Sequence, residues 1–244
     1  MRIQYEGAFY HVISRGNAGQ YLYVSEEDKG YFLQLLGRGA ERYEVEVYAY
    51  CVMGTHYHLL VQTIRANLSE FMHFLGSSYG NYMVRKGWVG HVFAGRYRAI
   101  CIQKEEYLLV VSRYIHLNPV GAGLVRRPED YRWSSYSHIV EDKNIPAWLN
   151  RGWLEEYFGP GMQDAKARYR EFMEAVSDGP PPYPHENIVA QAILGNEEFV
   201  TKIKSIVGRE NKPIEAAGRL SLAKPLALEG LYGAVCRYYG LPDG

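Results

Sequence analysis

The stretch from residue 44 to residue 63, EVEVYAYCVMGTHYHLLVQT, constrains the fold most. Its first nine residues alternate as a half-buried strand does, MGT makes a tight turn, and HYHLLVQT returns antiparallel. Elements of both kinds surround this hairpin. Residues 8–14, AFYHVIS, are β-branched and aromatic and read as an earlier strand, and RGNAGQ behind them is a turn. Ser25 with Asp28 three residues on forms a capping-box-like helix start, and Tyr31, Phe32, Leu35 and Leu36 follow at helical spacing. A second helix begins at Asn67 or Ser69, carries Phe71, Phe74, Leu75 and Tyr79, and ends near Gly87. Residues 91–102, HVFAGRYRAICI, are expected to form a bent strand or short hairpin around Gly95. A third helix is expected from Lys104 to Leu117, with Pro119 as its stop.

The order strand, helix, strand, strand, helix, strand, helix predicts an α+β fold. Its natural small form is a ferredoxin-like or RRM-like antiparallel sheet with helices on one face. Residues 1–140 would make this domain. Residues 141–180 read as a connecting helical region and Pro-rich linker, which includes DGPPPYP, and residues 181–244 as a helical C-terminal region containing VTKIKSIV and GLYGAVCRYYG.

A chain of 244 residues, 47% apolar and 22% charged, has the composition of an ordinary globular protein with room for a real core. No apolar run approaches the roughly 18 residues that span a bilayer. The start, MRIQYEGAFY, lacks a signal-peptide pattern. No membrane partner and a cytoplasmic location are therefore expected. Cys51, Cys101 and Cys236 are widely separated and read as core residues rather than as a disulfide or zinc framework.

Net charge is zero, but its distribution is uneven: residues 1–140 carry 15 Lys and Arg against 12 Asp and Glu. Between Glu70 and Glu105 there is no acidic residue. That window holds Arg85, Lys86, Arg96, Arg98 and Lys104 among Tyr79, Tyr82, Trp88, Phe93 and Tyr97. Cations for phosphates and rings for bases together suit a single-stranded nucleic acid. A solvated face with a few core aromatics gives the same composition.

Two pairs of residues can carry chemistry. His56 and His58, two apart on a strand, point to one face and can share a divalent ion. Tyr114 and Asn118, four apart on the third helix, share a face as well. The amide oxygen of Asn118 suits Mg²⁺ or Mn²⁺, and the phenol of Tyr114 is a candidate nucleophile. Each pair alone is equally consistent with packing.

Together the motifs resemble those of the one-tyrosine HUH transposases, and among them the REP-associated tyrosine transposases and their insertion-sequence relatives. HYH fits the histidine–hydrophobic–histidine signature, and YIHLNPV fits the tyrosine motif. YHVISRGN, VMGTHYHLLVQT, FAGRYRAI and WSSY support the match across roughly residues 1–140. The resemblance implies that Tyr114 attacks a DNA phosphate, that His56, His58 and Asn118 hold Mg²⁺ or Mn²⁺, and that Arg15, Arg96 and Arg98 contact DNA. Lys104, from the acid-free window, joins that DNA-binding set, and Arg96 and Arg98 are expected to line one positive surface.

The expected activity is nicking and strand transfer on single-stranded or hairpin DNA, by a monomer or a homodimer associated with the nucleoid. The resemblance also leaves room for a partial DnaA-like DNA-binding domain in residues 181–244. Two other readings stand beside it. One is a DNA-binding protein that kept the fold without the chemistry, and the other is a metal hydrolase that uses the histidines and has no need of Tyr114.

Overall fold

The computed structural model describes residues 3–142, 144–175 and 183–209. Six strands form one sheet in the order β2-β3-β1-β4-β6-β5. β1 (Ala8–Arg15), β2 (Val45–Val52), β3 (His56–Thr63) and β4 (Arg98–Ile102) supply the antiparallel part. Its order, with β1 and β3 central, is that of a ferredoxin-like sheet, and the α+β class is as the element order predicts.

α1 (Glu26–Tyr43) starts on the box expected at Ser25. The Ser25 hydroxyl accepts from the Asp28 backbone N–H at 3.3 Å, and the Asp28 carboxylate accepts from the Ser25 N–H at 2.8 Å. That carboxylate also accepts from Lys86 at 2.6 Å and from the Tyr82 hydroxyl at 2.9 Å. The start of α1 is thereby tied to the end of α2 (Leu68–Arg85).

These two helices cover one face of the sheet, where Phe32 of α1 meets Tyr57 of β3. α3 (Lys104–Gly121) covers the other, where Tyr114 meets His58. The expected single helical layer is thus one of two, which explains why β2, read as half-buried, is buried along nearly its whole length. A register shift at Tyr48 marks a β-bulge in the same strand.

Pro119 does not stop α3, which runs on to Gly121. A proline costs the Ile115 carbonyl its donor but leaves the remaining bonds of the last turn in place, including that from the Ala122 N–H to the Asn118 carbonyl at 3.0 Å. Of residues 91–102, only Arg98–Ile102 is a strand; the rest is a loop that bridges through Phe93 to Gly16, just past β1, and donates from the Ala94 N–H to the Arg15 carbonyl at 3.0 Å.

α4 (Tyr136–Glu141), α5 (Trp153–Phe158) and α6 (Met162–Glu174) follow. His116, fully buried in α3, lies 2.7 Å from the Tyr169 hydroxyl of α6 and 2.7 Å from Ser135 Oγ at the start of α4. This network fixes the helix that carries Tyr114.

The segment expected to be helical from residue 185 first forms two short strands, β5 (Ile188–Val189) and β6 (Ile193–Leu194). β6 pairs in parallel with β4, and the Cys101 and Gln103 N–H groups donate to Ala192 and Leu194 carbonyls at 2.8 Å each. An otherwise open sheet edge is covered in this way. α7 (Glu197–Arg209) comes next. Cys51 and Cys101 are free and buried, while Cys236 and the motif GLYGAVCRYYG lie outside the described residues. Among the described residues no helix is long and apolar enough to cross a membrane.

Candidate active site

Strand parity builds the site. His56 and His58 share one face of β3, and the ladder places Arg15 opposite His56 and Ile13 opposite His58. His11 and Arg15, alternate residues of β1, therefore share that face. α3 lies over it. The Tyr114 ring is edge-on to His58 at 5.5 Å and to His11 at 5.9 Å, centroid to centroid. The His56 and His58 rings are 5.0 Å apart. Asn118, one helical turn beyond Tyr114, faces the His56 side chain and works against the lowering of its pKa. His56 Nδ1 is 3.0 Å from Thr55 Oγ1, and His58 Nδ1 is 3.0 Å from His11 Nε2.

Burial keeps these imidazoles neutral. It pushes His11 down to about 3, assisted by the charges of Arg98 and His185. His58 is held well below the usual histidine range by burial and by its two histidine neighbours. His56 is lowered by burial against the opposing effect of Asn118, with Arg15 adding to the lowering. Neutral rings keep a lone pair for a metal. His58 Nε2 makes no hydrogen bond among the described residues.

Two imidazole nitrogens and an amide oxygen on one side of the sheet fit a divalent ion such as Mg²⁺ or Mn²⁺. Among the described residues there is no cluster of three or more His, Cys, Asp or Glu side chains able to hold a metal. The set here has only two such side chains, and its third member is an amide.

The cationic residues divide. Arg15 and Arg98 are exposed and lie on the histidine face: Arg15 acts on His56, and Arg98, opposite Ile13 in the ladder, acts on His11. Arg96 does not share that surface. It lines a cavity of about 280 Å³ with Ser14, Tyr57, His73 and Phe93 on the α2 side. The reason is local, since Arg96 precedes β4 and is not bound by its alternation. Lys104 is also remote, at the opposite end of α3 from Asn118. Its ammonium lies over the Phe9 ring and pairs with Glu156 at 2.6 Å.

This division predicts distinct salt responses. Arg15→Ala and Arg98→Ala should each flatten the dependence of log K on log salt by about 0.7 to 0.9 for hairpin DNA. Lys104→Ala should leave the slope unchanged. Filter-binding titrations between 50 and 200 mM salt, on the order of the range over which such effects are large, would settle it; equal slopes for all three variants would remove the phosphate role of the arginines.

Two residues at the site were not singled out by the sequence. His11 sits inside YHVISRGN, and strand parity aligns it with Arg15, but its contact with His58 depends on the β1–β3 register. Tyr183 arrives from beyond the proline run. Its ring packs 4.8 Å from Tyr114 and 4.9 Å from His11, and its buried hydroxyl has no partner among the described residues. Nothing in its local sequence marks it.

The family model described as "Transposase IS200 like" matches residues 4–118. Among solved structures, the chain is similar to a REP-associated tyrosine transposase bound to a REP hairpin, with a TM-score of 0.50 and 15% identity over 62% of this chain and 90% of that one. That is a likeness of fold. A candidate transposase from Deinococcus radiodurans R1 aligns at 20% identity over 43% of this chain and 86% of that one, with a TM-score of 0.35. No curated protein matches the chain. The matched span runs from just before β1 through Asn118, so it contains His11, both β3 histidines and Tyr114. Over residues 4–118, just under half of its length, the chain is similar to the IS200-like transposases.

Proposed function

We propose that the protein nicks and rejoins single-stranded DNA through a covalent phosphotyrosine at Tyr114. The observation that carries this reading is the packing of a partly exposed phenol edge-on against His58, beside His56 and Asn118. In this reading His56, His58 and Asn118 hold Mg²⁺ or Mn²⁺. A bound cation polarises the scissile phosphate and stabilises charge on it, as a Lewis acid.

The chain's own part is the nucleophile and its placement. A free phenol has a pKa of about 10 and is a weak nucleophile at neutral pH, so position counts. Rings of His11, His58 and Tyr183 surround Tyr114 and restrict its side chain. The Tyr114 oxygen forms a bond to phosphorus as the bond from phosphorus to the 3′ oxygen breaks. The phenol loses a proton and the released 3′ oxygen gains one. The product is still a phosphodiester, so another 3′-hydroxyl can reverse the step on a new strand without ATP. Strand transfer follows from the same chemistry as nicking.

Arg15 and Arg98 flank the site and would take the DNA backbone. A hairpin is the proposed substrate, because the similar REP-associated transposase was solved on one. The test is incubation with a labelled hairpin library and Mn²⁺, followed by denaturing electrophoresis. A label that co-migrates with the protein, and that EDTA prevents, supports the proposal. Tight hairpin binding with no adduct under any condition favours the non-catalytic binding module instead.

A further inference from the structure

We propose that His11 is a positioning residue for His58: it accepts a hydrogen bond from His58 Nδ1–H at its Nε2 and so presents the lone pair of His58 Nε2 to a divalent cation. The inference rests on reading His56, His58 and Asn118 as a metal site. It adds to that site a residue from another strand.

The geometry supports it at three points. His11 Nε2 and His58 Nδ1 are 3.0 Å apart, and the two rings stack at 5.2 Å with 25° between their planes. The ladder fixes that approach, because Ile13 lies opposite His58 and His11 is the next residue along the same face. His11 is wholly buried between strand neighbours, Tyr114 and Tyr183, so its ring has little freedom to leave.

One shared proton then decides what His58 can do. If it resides on His11 Nε2, neutral His58 carries its own proton on Nε2 and has no lone pair for a cation. If it resides on His58 Nδ1, Nε2 is free. An acceptor behind a liganding imidazole sets its tautomer, orients its ring and raises its basicity. Neutral His11 then carries its own proton on Nδ1, and that atom is buried with no partner among the described residues. An apolar ring of similar shape would fill the space without leaving a polar atom unmatched. A half-satisfied imidazole at this position is therefore poor core filling, and it makes sense as a hydrogen-bond partner of His58.

The test measures Mn²⁺ affinity of the metal-free full chain by calorimetry, independent of activity. His11→Leu should weaken binding roughly 10- to 100-fold. His11→Gln, which can place an amide oxygen near the Nε2 position, should recover most of the loss. Hairpin binding in EDTA should be unchanged in both. Wild-type affinity in His11→Leu, alongside loss in His58→Ala, would overturn the proposal while leaving the metal site standing. Equal affinity in wild type and His58→Ala would overturn the metal site and this inference with it. Should His11→Leu fail to fold, long-range ¹H–¹⁵N spectra of wild-type imidazoles with Zn²⁺ decide the matter. A protonated His58 Nδ1 supports the assignment, and a protonated His11 Nε2 refutes it.

Discussion

Tyr114→Phe is expected to abolish DNA cleavage and the covalent adduct, a loss of at least about 10⁴-fold, while hairpin affinity stays within about twofold of wild type. The substitution removes one oxygen. The Tyr114 hydroxyl makes no hydrogen bond among the described residues, and the ring keeps its edge-on contacts with His11, His58 and Tyr183. The helix beneath it is anchored elsewhere, by His116 between Tyr169 and Ser135. Fold and binding should therefore survive a change that removes the bond-forming atom.

His56→Ala provides the contrast. It should also stop cleavage, but by weakening metal binding, so raising Mn²⁺ should restore part of the activity. No Mn²⁺ concentration should restore Tyr114→Phe. Cleavage by Tyr114→Phe at the wild-type rate would mean that water is the nucleophile, and the transposase chemistry proposed here would be wrong.

Acid is expected to destabilise the metal-free protein well before its carboxylates titrate. Burial pushes His116 down to about 3, and burial with help from Arg98 and His185 does the same to His11. Both titrate near 6.5 in the unfolded chain, so between pH 6.5 and 3 the unfolded state binds more protons. The stability linked to these groups is fully present above about pH 6.5 and is lost as pH falls, at up to about 1.4 kcal/mol per pH unit for each. Between pH 6.5 and 5 the pair should remove about 3 kcal/mol, a large part of the 5–15 kcal/mol typical of a domain.

Urea midpoints measured in EDTA at pH 7, 6.5, 6, 5.5 and 5, on the order of half-unit steps across the window, would show the decline. His116→Gln keeps a polar side chain but cannot titrate, so it should flatten the decline by about half of the amount that His11 and His116 contribute together. A pH dependence identical to wild type would show that His116 does not contribute.

What the sequence determined by itself is mostly local. The strands VEVYAYCV and HYHLLVQT, the turn between them and the box at Ser25 and Asp28 each depend on residues a few positions apart, and each is present in the structure. The shared face of His56 and His58 is likewise a consequence of a two-residue period, and that of Tyr114 and Asn118 of a four-residue one.

What only the tertiary structure decided is what faces these pairs. The β1–β3 register brings His11 against His58, and no spacing within either strand encodes a register. The second helical layer depends on where α3 returns, and it is what buries both sides of β2. Arg96 and Arg98 are two residues apart, yet they reach different faces because the strand begins between them. The β5–β6 hairpin was hidden for a chemical reason. Its turn places Ala190 and Gln191 at positive φ, where glycine or asparagine would ordinarily announce it. Those residues tolerate the conformation because β6 gains the open edge of β4, a partner more than 85 positions away in the chain.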